Sequence, residues 1–274
     1  MHYAVTGHRG KIASRLIKLG VEPIKSDILK PKDLRRELRV LKPDVIIHAA
    51  GISSVAECEQ NYDKAIAVNV HGTADLFGVA SEVIGEGRCI LLSSDQVFDG
   101  IQGRNKEEDE PNPIHNYGWT KWGAEGLAGV YGNKIIRLSR GVDIYEQDID
   151  QYLNCLEKGL KIFVPDFFFR NYAHLDFIAT GILHASALFE TLPNILHIAG
   201  KDNISFYSFM AILAERVGLD SNLVMRREKE VPFAKRPANC GLNIEKADSL
   251  GIPLFSVNET IIRMREEWTS KHQS

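Results

Sequence analysis

"YAVTGHRGKIA", residues 3–13, is the stretch on which the fold turns. An apolar run, Tyr3 to Val5, meets Gly7 and Gly10, and the chain then becomes helical through "KIASRLIKLG", with Ala13 where a third glycine often stands. Glycines after a first strand permit a tight turn and let backbone approach a pyrophosphate, which rests on the N-terminus of the next helix. Between a strand and a helix the pattern reads as a dinucleotide-binding turn, the alternative being an ordinary glycine-containing strand-helix turn. Ala13 falls at the position that serves helix packing, where alanine is an accepted variant. Gly7, Arg9, Gly10, Lys11 and Ile12 are the cofactor-binding candidates of the turn.

Outward from this turn, short apolar runs alternate with helical periodicity: "PDVIIHAAG", a helix through "AIAVNVHGTADLFGVASEV", "RCILLSS", "YGWTKWGAEGLAGV" and "NKIIRLS". Val45 to Ala50 and Cys89 to Ser93 are apolar at both parities, as strands covered by helices on two faces must be. The alternation predicts an α/β fold with a doubly wound parallel Rossmann sheet. After Arg140 the pattern loosens: a helix around Asp148 to Leu160, the aromatic patch "FVPDFFFRNY", a long helix from His174 to Glu190 and a strand in "NILHIAG". A helix near Phe206 to Val217, the Pro-bounded "KEVPFAKRPANC" and a terminal helix around Glu259 to Trp268 complete the reading. The expected division is an NAD(P)-binding body, residues 1–145 and about 172–200, with a small substrate-binding cap from about 146–171 and 201–274. Phe163, Phe167, Phe168, Phe169 and Tyr172 are expected in a core rather than on a base-stacking platform.

The chain has 274 residues, 44% of them hydrophobic, enough for a sizeable core. A net charge of -3 gives no basic stripe for nucleic acid, and the cluster from Arg226 to Lys229 is broken by Glu228. Cys58, Cys89, Cys155 and Cys240 are scattered, with neither metal-binding spacing nor the density of a disulfide scaffold, which fits a reducing, cytoplasmic compartment. No leader pattern or membrane-length apolar run is present, so no membrane partner is expected.

The choice of dinucleotide rests on two places. Asp27 lies twenty residues after Gly7, near the spacing at which an acid binds the ribose 2′-hydroxyl of NAD. Pro23 and the shortness of "VEPIKSD" point to a truncated second strand, which would instead put Asp27 and Ile28 beside the adenine. Arg9 could neutralise a 2′-phosphate or be a solvated loop charge. The reading leans to NADPH, with NADH the alternative.

"LLSSDQVFDG" places Ser93, Ser94 and Asp95 at the C-terminal end of a strand, where open α/β sheets bind their ligands. Twenty-three residues beyond Ser94 comes Tyr117, and four later Lys121. On a helix that spacing puts both side chains on one face, although alone it describes many solvated helix surfaces. A strand-end serine followed by YxxxK is the arrangement of the short-chain dehydrogenase/reductase superfamily. The chain resembles its extended branch, and within it the dTDP-4-dehydrorhamnose reductase group. "TGHRGKIA", "LKPDVIIHAAG", "AVNVHGT", "SSDQVFDG", "KEEDEPNPIHNYGWTK" and "KRPANCGLNIEKADSLGI" carry the likeness over nearly the whole length. "GHRG" also resembles the turn of the NADPH-using GDP-fucose synthases. The resemblance implies catalytic Ser94, Tyr117 and Lys121, with Tyr117 protonating a carbonyl as hydride arrives and Ser94 hydrogen-bonding the same oxygen. Lys121 would lower the phenol's pKa and hold the nicotinamide ribose, and Ala49, Ala50 and Gly51 would let backbone pass close to the cofactor.

Two positions depart from the group. Gln96 stands where tyrosine usually follows the serine-aspartate pair, and Arg140 where rhamnose-forming members tend to carry tryptophan. Both fall toward substrate, so the reductase chemistry is better supported than the sugar. Arg140 could accept a carboxylate, a phosphate or an altered hydroxyl pattern, or be an exposed arginine at a loop start. Arg170 and Arg236 could grip a nucleotide diphosphate or make surface ion pairs. His48 and His115 read as structural, and no metal site is expected. Some relatives use magnesium, but Glu107 to Glu110 reads as a solvated turn. Gly118, Gly123, Gly126 and Gly129 weaken the tyrosine helix and suggest close packing, with a homodimer as one use for it. The leading expectation is an NADPH-dependent reductase of a nucleotide-linked 4-keto-6-deoxy sugar. The alternatives are a sugar-nucleotide epimerase or dehydratase, and a cofactor-binding regulatory subunit like that of methionine adenosyltransferase.

Overall fold

The computed structural model describes residues 1–227 and 236–273, so Glu228, Lys229 and the first part of the Pro-bounded stretch lie outside the described residues. In chain order the first half runs β1 (Tyr3–Val5), α1 (Lys11–Lys18), β2 (Glu22–Pro23), α2 (Pro31–Leu41), β3 (Val45–His48), α3 (Val55–Gln60), α4 (Tyr62–Ile66), α5 (Gly72–Ile84), β4 (Cys89–Ser94), α6 (Asn116–Val130) and β5 (Lys134–Leu138). The second half runs β6 (Gly141–Val142), α7 (Gln147–Glu157), β7 (Ile162–Pro165), β8 (Phe169–Asn171), β9 (Ala173–His174), α8 (Leu175–Ala187), β10 (Ile195–Ile198), β11 (Asn203–Ser205), α9 (Phe206–Arg216), β12 (Val224–Arg227), α10 (Glu245–Ser249) and α11 (Val257–Gln273).

Six strands form one parallel sheet in the order β10-β5-β4-β3-β1-β2. Every residue of β3 and β4 is buried, which is why their apolar runs show no alternation. On one face Leu16 of α1 and Ile178, Ile182 and Ala185 of α8 pack on the sheet. On the other, Leu34, Leu38, Leu76, Phe77, Ala124 and Ala128 bring α2, α5 and α6 against it. β2 lies at the sheet edge, where Pro23, with no N–H to donate outward, is tolerated, and the Ile24 amide still donates to the Val5 carbonyl beyond it. The chain leaves β1 for β2 on one side and returns through α2 to β3 on the other. That reversal opens a crevice at the carboxyl ends of β1 and β3.

A separate apolar cluster gathers α7, α9 and α11 around Leu153, Phe209, Met210, Met264 and Trp268. Of the aromatic patch only Tyr172 enters it fully; Phe163 and Phe169 are exposed and Phe167 pairs with Phe168 at 4.6 Å, because β7 and β8 belong to two-stranded pairs open on one side. The expected single helix through residues 65–83 is also interrupted. Residues Ala67–His71 form a π-helical stretch between α4 and α5. Among the described residues, no helix is long and apolar enough to cross a membrane.

Candidate active site

Gly7 has φ +71°, and a Cβ placed there would stand 2.8 Å from the Ala50 backbone. Only glycine lets the first turn lie this close to the segment leaving β3. Thr6 holds that segment: its hydroxyl oxygen accepts from the amides of Ala49 (3.2 Å) and Ala50 (3.1 Å). Its proton goes to Nδ1 of His48 at 2.8 Å, and Nε2 of the same ring donates to Thr73 at 2.9 Å. Burial pushes His48 down to about 3, so the ring is neutral and structural, as expected. At the start of α1, Gly10 supplies no side-chain cap, leaving the first helical N–H groups free to meet an anion. These features fit a dinucleotide pyrophosphate.

The remaining cofactor candidates divide. Arg9 is exposed, with no carboxylate paired to it among the described residues, whereas Lys11 is held by Glu146 at 2.6 Å. Ile12 is partly buried against the sheet. Asp27 is exposed and its carboxylate accepts from the Leu29 amide at 3.0 Å. Ile28 is buried, its side chain lying against Gly72, so it packs on α5 rather than opening toward a base. Gly51 faces Asn69, whose side-chain oxygen would be 3.0 Å from an added Cβ.

The strand-end serine and the tyrosine helix do converge. His115 caps α6: its Nδ1 accepts from the Gly118 amide at 3.0 Å, so Nε2 carries the proton and donates to Gln96 Oε1, also at 3.0 Å. A Cβ on Gly118 would stand 2.3 Å from the Gln96 carbonyl oxygen. This glycine therefore serves contact within the chain, bringing Tyr117 to the end of β4; Gly126 and Gly129 meet nothing within 4 Å and Gly123 only Val70. Burial lifts the Tyr117 phenol to about 12; the Ser94 hydroxyl acts in the opposite sense as its hydrogen-bond partner, and Asp95 and Cys58 add to the rise. Lys121 is buried and its Nζ donates to the Leu92 carbonyl of β4 at 2.7 Å. Burial also lowers Lys121 to about 8, with Glu125 pulling the other way. Burial thus dominates the Tyr117 phenol in this state and keeps it protonated.

Around Ser94, hydroxyls and amides converge on Asp95. Ser94 donates to Asp95 at 3.2 Å, Gln96 Nε2 at 2.9 Å and Ser139 at 2.8 Å, and Arg170 lies 3.6 Å away. Ser94 also accepts from the Gln96 amide at 3.2 Å, so it caps a short turn as well as facing Tyr117. Gln96 is spent bridging Asp95 to His115, and orients rather than offers a free amide. Arg170 departs from expectation: it is buried and donates to the carbonyls of Phe169, Pro237 and Ala238, so it braces the "RP" segment and has little left to grip a diphosphate. Arg140 is half-buried, in a two-pronged pair with Asp148 at 2.8 and 3.0 Å. Arg236 is exposed; desolvation, then Arg140 and Arg170, lower its pKa, so three guanidinium groups share one neighbourhood.

Two features escaped the sequence. Asn69 is buried in the π-helical stretch: Oδ1 accepts from the Ile52 amide at 2.7 Å, and Nδ2 donates to the Ile52 carbonyl and to Thr120 on α6. It ties the loop after β3 to the tyrosine helix, and a lone asparagine in "AIAVNVHG" was the available signal. Glu107, assigned to a solvated turn, is buried, with Oε1 accepting from the His197 amide at 3.1 Å. His174, Asp176 and Glu267 come close enough to hold a metal, but Arg15 and Arg263 already pair with Asp176, so the group fits an ion-pair network better.

Comparison with known proteins agrees with this geometry. The dTDP-4-dehydrorhamnose reductase of Aggregatibacter actinomycetemcomitans is 29% identical over 88% of this chain and 90% of its own. Methionine adenosyltransferase 2 subunit beta of Bos taurus is 26% identical over 77% of this chain, which spans 66% of that relative. The crystal structure of Bacillus anthracis dTDP-4-dehydrorhamnose reductase in complex with NADP superposes with a TM-score of 0.86 at 19% identity, covering 97% of each chain. The RmlD substrate binding domain model matches residues 1–269. The chain accordingly belongs to the RmlD substrate binding domain family.

Proposed function

We propose that this protein is an NADPH-dependent reductase of a nucleotide-linked 4-keto-6-deoxy sugar. The observation that carries the reading is the convergence of Ser94 and a protonated Tyr117 at the end of β4, one strand from the Gly7 turn. When bound, the nicotinamide supplies the hydride. Ser94 hydrogen-bonds the carbonyl oxygen, Tyr117 Oη delivers its proton to that oxygen, and the Lys121 ammonium holds the nicotinamide ribose and steadies the phenolate left behind. A phenol lifted to about 12 suits the acid role, since it is protonated at neutral pH, and Lys121 supplies the charge that makes proton loss cheaper in the transition state. Arg9, with no carboxylate paired to it among the described residues, would meet the 2′-phosphate, while Arg236 and Arg140 would face the anionic end of the substrate. In this reading residues 1–145 and about 172–200 are the cofactor body, and about 146–171 and 201–274 the cap over the sugar, in a cytoplasmic enzyme.

A second reading, a cofactor-binding regulatory subunit, is favoured by the methionine adenosyltransferase relative. Purified protein with NADPH is to be screened against dTDP-, UDP- and GDP-linked 4-keto-6-deoxy sugars, with Tyr117→Phe as control. Net NADPH oxidation by the wild type, lost in the variant, supports the reductase. Cycling between sugars without net oxidation would indicate the epimerase or dehydratase alternative, and tight NADPH binding with no turnover the regulatory one.

A further inference from the structure

Behind Lys121 lies a buried ion pair to which neither the family match nor the catalytic reading gives a role. Glu125 sits one helical turn beyond Lys121 on α6, and Arg137 on β5; the two side chains are 5% and 2% exposed. Arg137 donates to Glu125 through Nε at 3.0 Å and Nη2 at 2.8 Å, a two-pronged pair, and Ser93 adds a hydroxyl at 2.5 Å. Ser93 and Arg137 face each other in the β4-β5 register, so the sheet itself aligns both donors on the carboxylate. Behind the guanidinium, Phe98 packs at 5.0 Å, while the Glu107 carbonyl (3.4 Å) and His197 Nε2 (3.5 Å) accept from Nη1. Burying such a pair is expensive, and an apolar pair of similar volume would stabilise the fold as well or better.

We propose that Glu125 acts through Lys121: pinned by Arg137 and Ser93 one helical turn away on α6, its carboxylate sets the charge of the lysine that holds the cofactor. This rests on the reading of Lys121 as a cofactor-binding residue. Lys121 is desolvated, with its hydrogen bond going to a neutral carbonyl, Leu92. Among the described residues, the ionisable groups whose charge couples to Lys121 are Glu125 on α6 and His48 on β3, which is neutral, while Tyr117 lies one helical turn before it. Glu125 is the carboxylate that favours its charged form, and Arg137 on β5 offsets part of that field. Removing the two partners must therefore move Lys121 in opposite directions.

The test is the titration of Lys121 in cofactor-free protein carrying isotopically labelled lysine, its resonance assigned with Lys121→Arg. Glu125→Gln, which keeps the shape but removes the charge and one of the two acceptor oxygens facing Arg137, is expected to lower the titration midpoint by about one pH unit or more, and Arg137→Gln to raise it. Arg137→Lys, which retains the charge, is expected to restore the wild-type midpoint even if it folds less stably. Unchanged midpoints, or shifts of the same sign in both glutamine variants, overturn the proposal. NADPH affinity across the same pH range separates the two ideas. Opposite shifts that affinity follows support both; opposite shifts that affinity ignores support the Glu125 assignment and overturn the cofactor role of Lys121.

Discussion

Replacing Gly7 by alanine perturbs the point where the first turn meets the segment after β3. The residue sits at φ +71°, which costs an L side chain about 1–2 kcal/mol. The added Cβ would stand 2.8 Å from both Cα and N of Ala50, and backbone cannot rotate away as a side chain can. Overpacking of that kind costs about 1–3 kcal/mol, giving roughly 2–5 kcal/mol in all. At about 2–4 °C per kcal/mol for a chain of this size, thermal unfolding should fall by roughly 4–20 °C. Because relief requires Ala49 and Ala50 to move, NADPH affinity measured by titration should fall by about tenfold or more, the equivalent of about 1.4 kcal/mol. Gly126→Ala is the matched control: nothing lies within 4 Å of its Cβ, and in a helix interior alanine is worth about 0.5–1 kcal/mol of added stability. Gly7→Ala protein that melts and binds NADPH like the wild type would refute the reasoning about the turn.

Further outcomes follow from buried groups. His48 and His197 are held neutral to about 3, below the 6.5 of an unfolded histidine, so the unfolded chain takes up protons first as pH falls. Stability should decline through the window from 6.5 to 3 with a slope approaching about 1.4 kcal/mol per pH unit for each ring; denaturant midpoints that stay flat across it would count against this. Asn69→Ala leaves the Ile52 amide and carbonyl and the Thr120 hydroxyl without their partner, and should lower unfolding free energy by about 1–3 kcal/mol while weakening activity through the loosened α6. Chelators should leave the melting temperature unchanged, because Asp176 in the His174-Asp176-Glu267 group is already neutralised by Arg15 and Arg263; a stabilising shift with added zinc would argue otherwise.

Much of this was legible in the sequence because the relevant signals are local. β3 and β4 announce two-sided burial in their composition, the Gly7 turn lies between a strand and a helix, and Tyr117 and Lys121 are one helical turn apart. What stayed hidden depends on contacts distant in sequence. Arg170 reads as a free charge until Pro237 and Ala238 arrive from the other end of the chain to take its protons. Glu107 reads as solvated until β10 brings His197 over it, and Gly118 reads as helix weakness until Gln96 packs against it. The π-helical stretch was hidden because its wider i→i+5 turn is fixed by tertiary contacts such as those of Asn69, not by the residue types within it. The depth of burial around Tyr117 and Lys121 was hidden for a related reason: spacing puts a lysine near a phenol but says nothing of how far either is desolvated.

The proposed reaction is a net hydride transfer in which Tyr117 supplies the proton. Its most direct test is incubation of the protein with NADPH deuterated at the transferable position of nicotinamide C4 and a nucleotide-linked 4-keto-6-deoxy sugar, followed by mass and NMR analysis of the sugar. One deuterium is expected on the new carbinol carbon for each NADPH consumed, with the rate lost in Tyr117→Phe while cofactor binding persists. Deuterium that never reaches the sugar although NADPH is bound, or equal transfer in Tyr117→Phe, would contradict it.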